Sequence, residues 1–137
     1  MTTGNNIGRV RRFWELFNTL GVDAAMDDMA HYADPEIEFR EDPAFPEGGV
    51  YRGVEGIRGY VRQFQEHMTG HRMELEGVRE VGNSVVALLH EQATGAQSGV
   101  AVELRPSFVF AFEGGWLIRI SAYLDRDEAL EAVGLKE

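Results

Sequence analysis

Hydrophobic and polar residues alternate along residues 104–125 in a pattern that predicts a β-hairpin. Two apolar runs flank residues 113–115, Glu-Gly-Gly, and a short loop that contains glycine is typical of a hairpin. A two-residue loop would place Phe110 opposite Arg119 and mix the faces, whereas a three-residue loop places it opposite Ile118. We therefore predict a three-residue loop, an apolar face that the rest of the chain covers, and a polar face. The apolar pairs would be Phe112 with Trp116, Phe110 with Ile118, Phe108 with Ile120, Pro106 with Ala122 and Leu104 with Leu124. The polar face would pair Val109 with Arg119, Ser107 with Ser121, Arg105 with Tyr123 and Glu103 with Asp125.

The first half of the chain has the spacing of amphipathic helices. Apolar residues recur at helical intervals up to Gly21, which predicts a helix over residues 5–20. Asp23 has the character of an N-cap for a second helix. Similar stripes predict two further helices, over residues 56–68 and 127–132.

Strand patterns lie between and after these helices. Residues 36–41 alternate as a short strand, and residues 42–51 contain the prolines and glycines of a loop. Two longer strands are predicted over residues 72–81 and 85–94. This order predicts an α+β fold, with helices on one face of a mostly antiparallel sheet. A curved sheet that is capped by helices makes a cone, and the mouth of the cone is a natural pocket.

Composition narrows the classes of partner. A chain of 137 residues with 44% hydrophobic residues is long enough for one domain with a single core. It has no cysteine, and its net charge of −10 makes nucleic acid and anionic membranes poor partners. Residues 1–6 do not have a signal-peptide pattern, and no apolar run has the roughly 18 residues of a membrane helix. We therefore expect a cytoplasmic protein, and no cofactor motif is present.

The sequence also contains three recognisable stretches: His-Tyr-Ala-Asp at 31–34, Tyr-Arg-Gly-Val-Glu-Gly-Ile at 51–57, and the segment 122–135 that begins Ala-Tyr-Leu-Asp. They resemble the nuclear transport factor 2 (NTF2)-like superfamily, specifically its ketosteroid isomerase and SnoaL-like polyketide cyclase branch. The resemblance covers nearly the whole chain, so we treat residues 1–137 as a single SnoaL-like domain. It implies a cone-shaped α+β barrel that dimerises through the outer sheet face. Isomerases, cyclases, hydrolases and ligand-binding modules share this fold, so the fold does not decide the function.

Residues that catalyse known reactions of the superfamily are missing at the matching positions. The resemblance places Phe13 where ketosteroid isomerase has its tyrosine and Phe108 where it has its buried acid, and neither side chain donates a hydrogen bond. One such donor is worth about 3 kcal/mol of transition-state stabilisation, so we do not expect steroid isomerisation. The carboxylate base position matches Arg40, or Asp42 if residues 41–43 correspond to a family Glu-Asp-Pro motif. The Asp-Arg-Asp set of limonene-type epoxide hydrolases matches Gln92, Thr94 and Ala122.

The resemblance also implies which residues line the cavity. His90 is the main catalytic candidate, because a histidine titrates near neutral pH and serves as a general acid or base; a hydrogen-bonded sheet histidine is the alternative. Asp42, Arg40 and Tyr32 are predicted to assist, with ordinary structural roles as the alternatives. The predicted ligand-binding residues are Phe13, Phe17, Glu38, Tyr60, Phe64, Leu88, Gln92, Phe108, Phe110 and Ile120.

One orientation stays open at this point. Strand alternation places Ile37 and Phe39 toward the cavity, whereas the resemblance places Glu38 and Arg40 there. No metal site is predicted, since the helix ends before His71 and no third ligand accompanies the histidines.

Two functional hypotheses follow. The first is an isomerase or cyclase that acts on a small apolar or carbonyl-containing molecule, with His90 as acid or base. The second is a non-catalytic ligand-binding or interaction module of the same fold, which the missing oxyanion donors favour. In either case we expect a homodimer through the polar face of the hairpin.

Overall fold

A computed structural model of the chain describes residues 4–42 and 49–134. Within these residues the chain forms four helices and seven strands. The helices are α1 (Gly4–Leu20), α2 (Val22–Met29), α3 (Gly53–Glu66) and α4 (Arg126–Ala132). The strands are β1 (Ala33–Arg40), β2 (Val50–Arg52), β3 (Met68–Val81), β4 (Ser84–Gly95), β5 (Ala101–Leu104), β6 (Ser107–Glu113) and β7 (Trp116–Tyr123).

The strands form one open sheet in the order β2-β1-β7-β6-β4-β3, and β5 pairs with β4 beside β6. The pairs are antiparallel except for β1 with β7, which is parallel. Apolar side chains of α1, α2 and α3 pack on one face of the sheet, and those of α4 pack on the other. These observations confirm the predicted α+β fold, a mostly antiparallel sheet covered by the N-terminal helices.

The first helices form because their apolar positions share one face. Val10, Phe13, Trp14 and Phe17 of α1 are buried at the spacing of one helical stripe. Gly21 separates α1 from α2 with a φ of 101°, which favours glycine, and it occupies the N-cap of α2. The prediction of Asp23 as the N-cap is therefore wrong.

The hairpin at the end of the chain forms, but its predicted register is wrong. Gly114 and Gly115 adopt φ values of 59° and 88°. Two glycines with positive φ make the tight two-residue turn that suits the twist of β-strands. The register then shifts between Ala111 and Phe112, which leaves Ile118 as the extra residue of a β-bulge. The bulge restores the face separation that a two-residue loop alone would lose.

The bulge changes which residues enter the core. Phe110 pairs with Ile120 and not with Ile118. Leu117 is fully buried, whereas Trp116, which was predicted to pair with Phe112 on the apolar face, is 51% exposed. The apolar face of the hairpin therefore exists, with partners that differ from the predicted ones.

The polar face of the hairpin also differs from the prediction. The predicted long strand is interrupted at residues 105–106, between β5 and β6. Strand β5 pairs with β4, so Glu103 lies opposite Gln92 and not opposite Asp125. Ser107 and Val109 are buried on this face, and Val109 packs against α4. Helix α4 therefore covers part of the surface that was predicted to pair two copies of the chain, and dimerisation stays a prediction.

Several predicted boundaries shift as well. Strand β2 forms at the end of the predicted loop 42–51 and pairs with β1, while residues 43–48 of that loop lie outside the described residues. Helix α3 begins at Gly53, before the predicted residue 56, and β3 begins at Met68, before the predicted residue 72. No helix in the described part of the chain has the length and apolarity needed to span a membrane.

The bulged register predicts which of two neighbouring truncations is costly. Leu117→Ala should lower the free energy of unfolding by about 2–5 kcal/mol, because it empties a fully buried site. Trp116→Ala should lower it by less than about 1 kcal/mol, because that side chain is half exposed. Urea unfolding of both variants measures the difference, and the reverse order would support the three-residue loop.

Candidate functional site

A cavity of about 200 Å³ lies between the inner face of the sheet and helices α1, α2 and α3. It is smaller than the roughly 300–1,000 Å³ of sites for drug-sized ligands, so it suits a small molecule. Aromatic and aliphatic side chains form most of its wall, and the aromatic ones include Phe13, Phe17, Phe39, Phe64 and Phe110.

Several of the predicted ligand-binding residues lie on this wall. They come from three elements of the apolar core that the sequence pattern identifies, α1, α3 and the β6–β7 hairpin. Their role in binding stays a prediction. The residues are Phe13, Phe17, Tyr60, Phe64, Phe108, Phe110 and Ile120.

The open question about β1 is answered by its side-chain alternation. Phe39 lines the cavity, whereas Glu38 and Arg40 lie outside its wall. Arg40 donates hydrogen bonds of 2.8 and 3.1 Å to Glu38, and Arg52 pairs with the same carboxylate. The hydrogen bond from Arg40 holds the pKa of Glu38 below its ordinary value. The expectation from the resemblance that Glu38 and Arg40 face the cavity is therefore not met, and strand alternation gave the correct orientation.

The β4 residues that were predicted to line the cavity are each displaced by one position from the residues that face inward. Leu89 is buried in the inner core and Glu91 lines the cavity, so Leu88, His90 and Gln92 point to the other face. His90 contacts the carboxylates of Glu103 and, at 3.8 Å, Glu74. Since successive side chains of a strand point to opposite faces, an offset of one residue moves the whole set out of the cavity. His90 therefore does not face the cavity.

Tyr32 and Asp42 have structural contacts and do not line the cavity. The Tyr32 hydroxyl donates to the Arg9 carbonyl at 3.5 Å, and the Arg9 guanidinium lies 4.9 Å from the centre of its ring. Burial raises the pKa of Tyr32. Asp42 is only 4% exposed and accepts a 2.7 Å hydrogen bond from the backbone N–H of Leu124. Asp42 thus joins the end of β1 to the end of β7.

The cavity contains a histidine–carboxylate pair that the sequence analysis did not identify. The Nε2 of His71 on β3 lies 2.8 Å from Oε2 of Glu91 on β4. The amide Nε2 of Gln65 lies 3.2 Å from His71 Nδ1. Because the amide nitrogen is a donor, Nδ1 accepts and the Nε2–H of a neutral imidazole donates to Glu91. The rings of Phe17 and Phe64 flank His71 at 5.5 and 4.8 Å between centroids.

A second carboxylate lies at the end of β1. Glu41 follows Phe39 by two positions, so it lies on the same, inner side and lines the cavity. Its Oε2 accepts a 2.5 Å hydrogen bond from the Tyr60 hydroxyl on α3, and its Oε1 accepts one of 3.2 Å from the backbone of Gly49. Burial, and then the hydrogen bond and charge of Glu41, raise the pKa of Tyr60, with a further contribution from Glu91. Both carboxylates therefore lie beside α3, where Tyr60 contacts Glu41 and Phe64, one helical turn later, contacts the His71 ring that pairs with Glu91.

These polar groups were missed for identifiable reasons. The predicted strand began at residue 72 and excluded His71, although His71, Met73 and Leu75 share one face of the longer β3. Glu41 was passed over between Arg40 and Asp42, although it shares the parity of Ile37 and Phe39. The alternation that correctly orients β1 was the signal that would have found Glu41.

Two polar contacts outside the cavity hold the helices over it. Asn18 of α1 donates to the carbonyl of Met73 at 2.6 Å and accepts from its N–H at 3.0 Å, which ties α1 to the edge strand β3. Arg58 of α3 donates to Asp23 at 2.9 Å and to Asp27 at 2.7 Å on α2. The helices that cover the cavity, which we call its roof, are thus held in two ways. Asn18 joins α1 to the sheet, and Arg58 joins α3 to α2.

The wall has few hydrogen-bond donors left for a ligand. Across residues 4–42 and 49–134, no lysine or arginine lines the cavity. Trp14, another wall residue, has a buried indole Nε1 with no hydrogen-bond partner among the described residues. The same part of the chain contains no group of three or more histidine and carboxylate side chains placed to hold a metal ion.

A family model for a SnoaL-like domain matches residues 10–120, well over half of the chain. The chain belongs to the SnoaL-like domain family. A comparison of this SnoaL-like chain with curated protein sequences finds no match.

Solved structures share the fold of this SnoaL-like chain. Bal32a, from a soil-derived mobile gene cassette, is 17% identical, with a TM-score of 0.75 over 96% of this chain and 97% of that one. An NTF2-like protein of unknown function from Burkholderia pseudomallei is 19% identical, with a TM-score of 0.73 over 98% and 99% of the two chains. An NTF2-like protein from Burkholderia thailandensis is 25% identical, with a TM-score of 0.67 over 73% and 78%. Together with the family match, they confirm the predicted resemblance to the NTF2-like superfamily.

The buried tyrosines predict a loss of stability at high pH. Burial raises the pKa of Tyr32 and Tyr60 in the folded state, so only the unfolded chain ionises them just above pH ~10. The free energy of unfolding should therefore fall as the pH rises above ~10, and less so in Tyr32→Phe and Tyr60→Phe. Neither substitution should reduce the rise in tyrosinate absorbance of the folded protein between pH ~9 and ~11. A smaller rise in a variant than in the unmodified protein would mean that the replaced tyrosine ionises in the folded protein over this pH range.

Proposed function

We propose that this SnoaL-like protein binds a small, mostly apolar molecule in the aromatic cavity and that Glu91, oriented by His71, transfers a proton to or from it. The observation that carries this proposal is the 2.8 Å His71–Glu91 contact within a wall made mainly of aromatic and aliphatic side chains. It replaces the hypothesis that His90 is the acid or base, since His90 lies outside that wall.

The surroundings of Glu91 favour proton transfer. Glu91 lines the cavity, so its carboxylate lies within reach of a molecule bound there, as a general acid or base must. The Nε2–H of His71 fixes one oxygen of Glu91 and leaves the other for a ligand. Gln65 in turn holds His71, so the base is oriented through two successive hydrogen bonds.

Exchange of the acidic protons of a small ketone in D₂O tests this proposal without knowledge of the natural substrate. In 1-tetralone, Glu91 would take a proton from C2, and the C–H electron pair would form the enol double bond as the carbonyl electrons move to oxygen. A deuteron returned from the exchanged carboxyl group would complete the cycle. We expect exchange, followed by proton NMR, to exceed the buffer rate and to fall on the order of 100-fold in Glu91→Gln.

Matched variants separate catalysis from binding. His71→Gln should slow the exchange, whereas His90→Gln should leave it unchanged, because His90 lies on the other face of the sheet. Binding is followed in a Trp116→Phe background, where the cavity residue Trp14 is the remaining tryptophan of the two in the chain. Quenching of Trp14 fluorescence without exchange above the buffer rate would contradict the proton-transfer step and leave the binding step intact.

Binding without proton exchange would instead indicate the alternative function, a non-catalytic ligand-binding module. One observation favours it: the Tyr60 hydroxyl and the His71 Nε2–H already donate to carboxylates. The buried Nε1–H of Trp14 has no partner among the described residues, but it is a neutral donor, so an enolate oxygen would receive little charge stabilisation from it.

A further inference from the structure

We propose that the ligand of this cavity carries a protonated amine that is bound by Glu41 and Glu91 between aromatic rings. The inference rests on the proposed function only in requiring that a small molecule occupies the cavity. It goes beyond it by naming the polar group that the wall recognises.

The charge of the wall is the first reason. Glu41 and Glu91 line the cavity, and no lysine or arginine among the described residues lines it with them. Four polar side chains of the wall form two pairs, in which Tyr60 donates to Glu41 and His71 donates to Glu91. Neither pair includes a lysine or arginine, so the donors are a phenol and an imidazole. A ligand therefore meets carboxylate acceptors in surroundings where water screens charge weakly.

The aromatic rings are the second reason. The ring of Phe39 lies 5.2 Å from that of Tyr60, and the rings of Phe64 and Phe17 lie 4.8 and 5.5 Å from that of His71, measured between centroids. Aromatic residues thus adjoin both polar pairs. The face of an aromatic ring is electron-rich and attracts an ammonium group that lies within about 6 Å of it.

A ligand carboxylate or phosphate is disfavoured by the same features. It would approach two like charges, and no cation of the described wall would replace the water that it loses on entry. The Trp14 N–H is neutral and does not offset that repulsion. A primary or secondary ammonium instead has the N–H donors that Glu41 and Glu91 accept, and its hydrocarbon part fits the apolar wall.

Three ligands of similar shape and different charge test the inference by isothermal titration calorimetry near neutral pH. They are 2-phenylethylamine, 2-phenylethanol and phenylacetate. We expect the amine to bind at least about tenfold more tightly than the alcohol, and phenylacetate to bind more weakly than both. This comparison uses the unmodified protein and does not depend on whether a variant folds.

Variants of similar shape then assign the effect. Glu41→Gln and Glu91→Gln should each weaken amine binding about fivefold or more while leaving the affinity for the alcohol nearly unchanged. Glu103→Gln is the control, since Glu103 contacts His90 outside the cavity. Equal weakening by Glu103→Gln would mean that the net charge of the protein, and not the cavity, attracts the amine.

The outcomes distinguish the two proposals. If the alcohol binds and the amine binds no more tightly, the amine inference is overturned and the proposed apolar cavity site stands. If phenylacetate binds most tightly, the charge argument is overturned with it. If none of the three binds and Trp14 fluorescence does not respond to 1-tetralone, both the inference and the proposed function are overturned.

Discussion

The structure depends on the strict alternation of side chains along strands that have one face covered by helices. Every inward position must be compatible with a core made by α1, α2 and α3, and a charged side chain there must find a partner. Most inward residues are apolar, such as Phe39, Leu89 and Phe110. Glu41 and Glu91 are exceptions, and each accepts a hydrogen bond from a neutral donor on a neighbouring element. The polar end of the cavity is therefore possible only because four residues from β1, α3, β3 and β4 meet in two pairs.

This dependence links the packing of the helices to the chemistry of the site. Tyr60 belongs to α3, which Arg58 anchors to α2, and His71 belongs to β3, which Asn18 joins to α1. The contacts that hold the helices over the cavity are thus made by the same elements, α3 and β3, that carry Tyr60 and His71 on its wall. A cavity built in this way keeps its donors and acceptors oriented before a ligand arrives, which is the usual requirement for selective binding.

The β-bulges have a similar indirect effect. Ile118 is the extra residue beside the Gly114-Gly115 turn, and a further shift in β3 falls between Leu75 and Gly77. Each bulge changes the parity of everything beyond it, and therefore changes which residues face the helices. A shift of this kind alters the wall of the cavity without altering the fold, so the fold alone does not decide the chemistry.

The sequence by itself determined the α+β class and the apolar face of α1, because these follow from local periods of 3.6 and two residues. Strand alternation also favoured the inward orientation of Phe39, but the family resemblance favoured Glu38 and Arg40, and the structure decided between them. The helical periods indicated that Phe17 and Phe64 lie on apolar faces, and the family resemblance implied that these faces line a cavity. Only the tertiary structure decided that His90 faces outward and that His71 meets Glu91, twenty residues further along the chain. That contact depends on the register between two long strands, which is set by the sum of many pairings and by bulges. No local sequence pattern specifies that register. A shift of one residue in it would turn the residues of the cavity wall to the outer surface of the sheet.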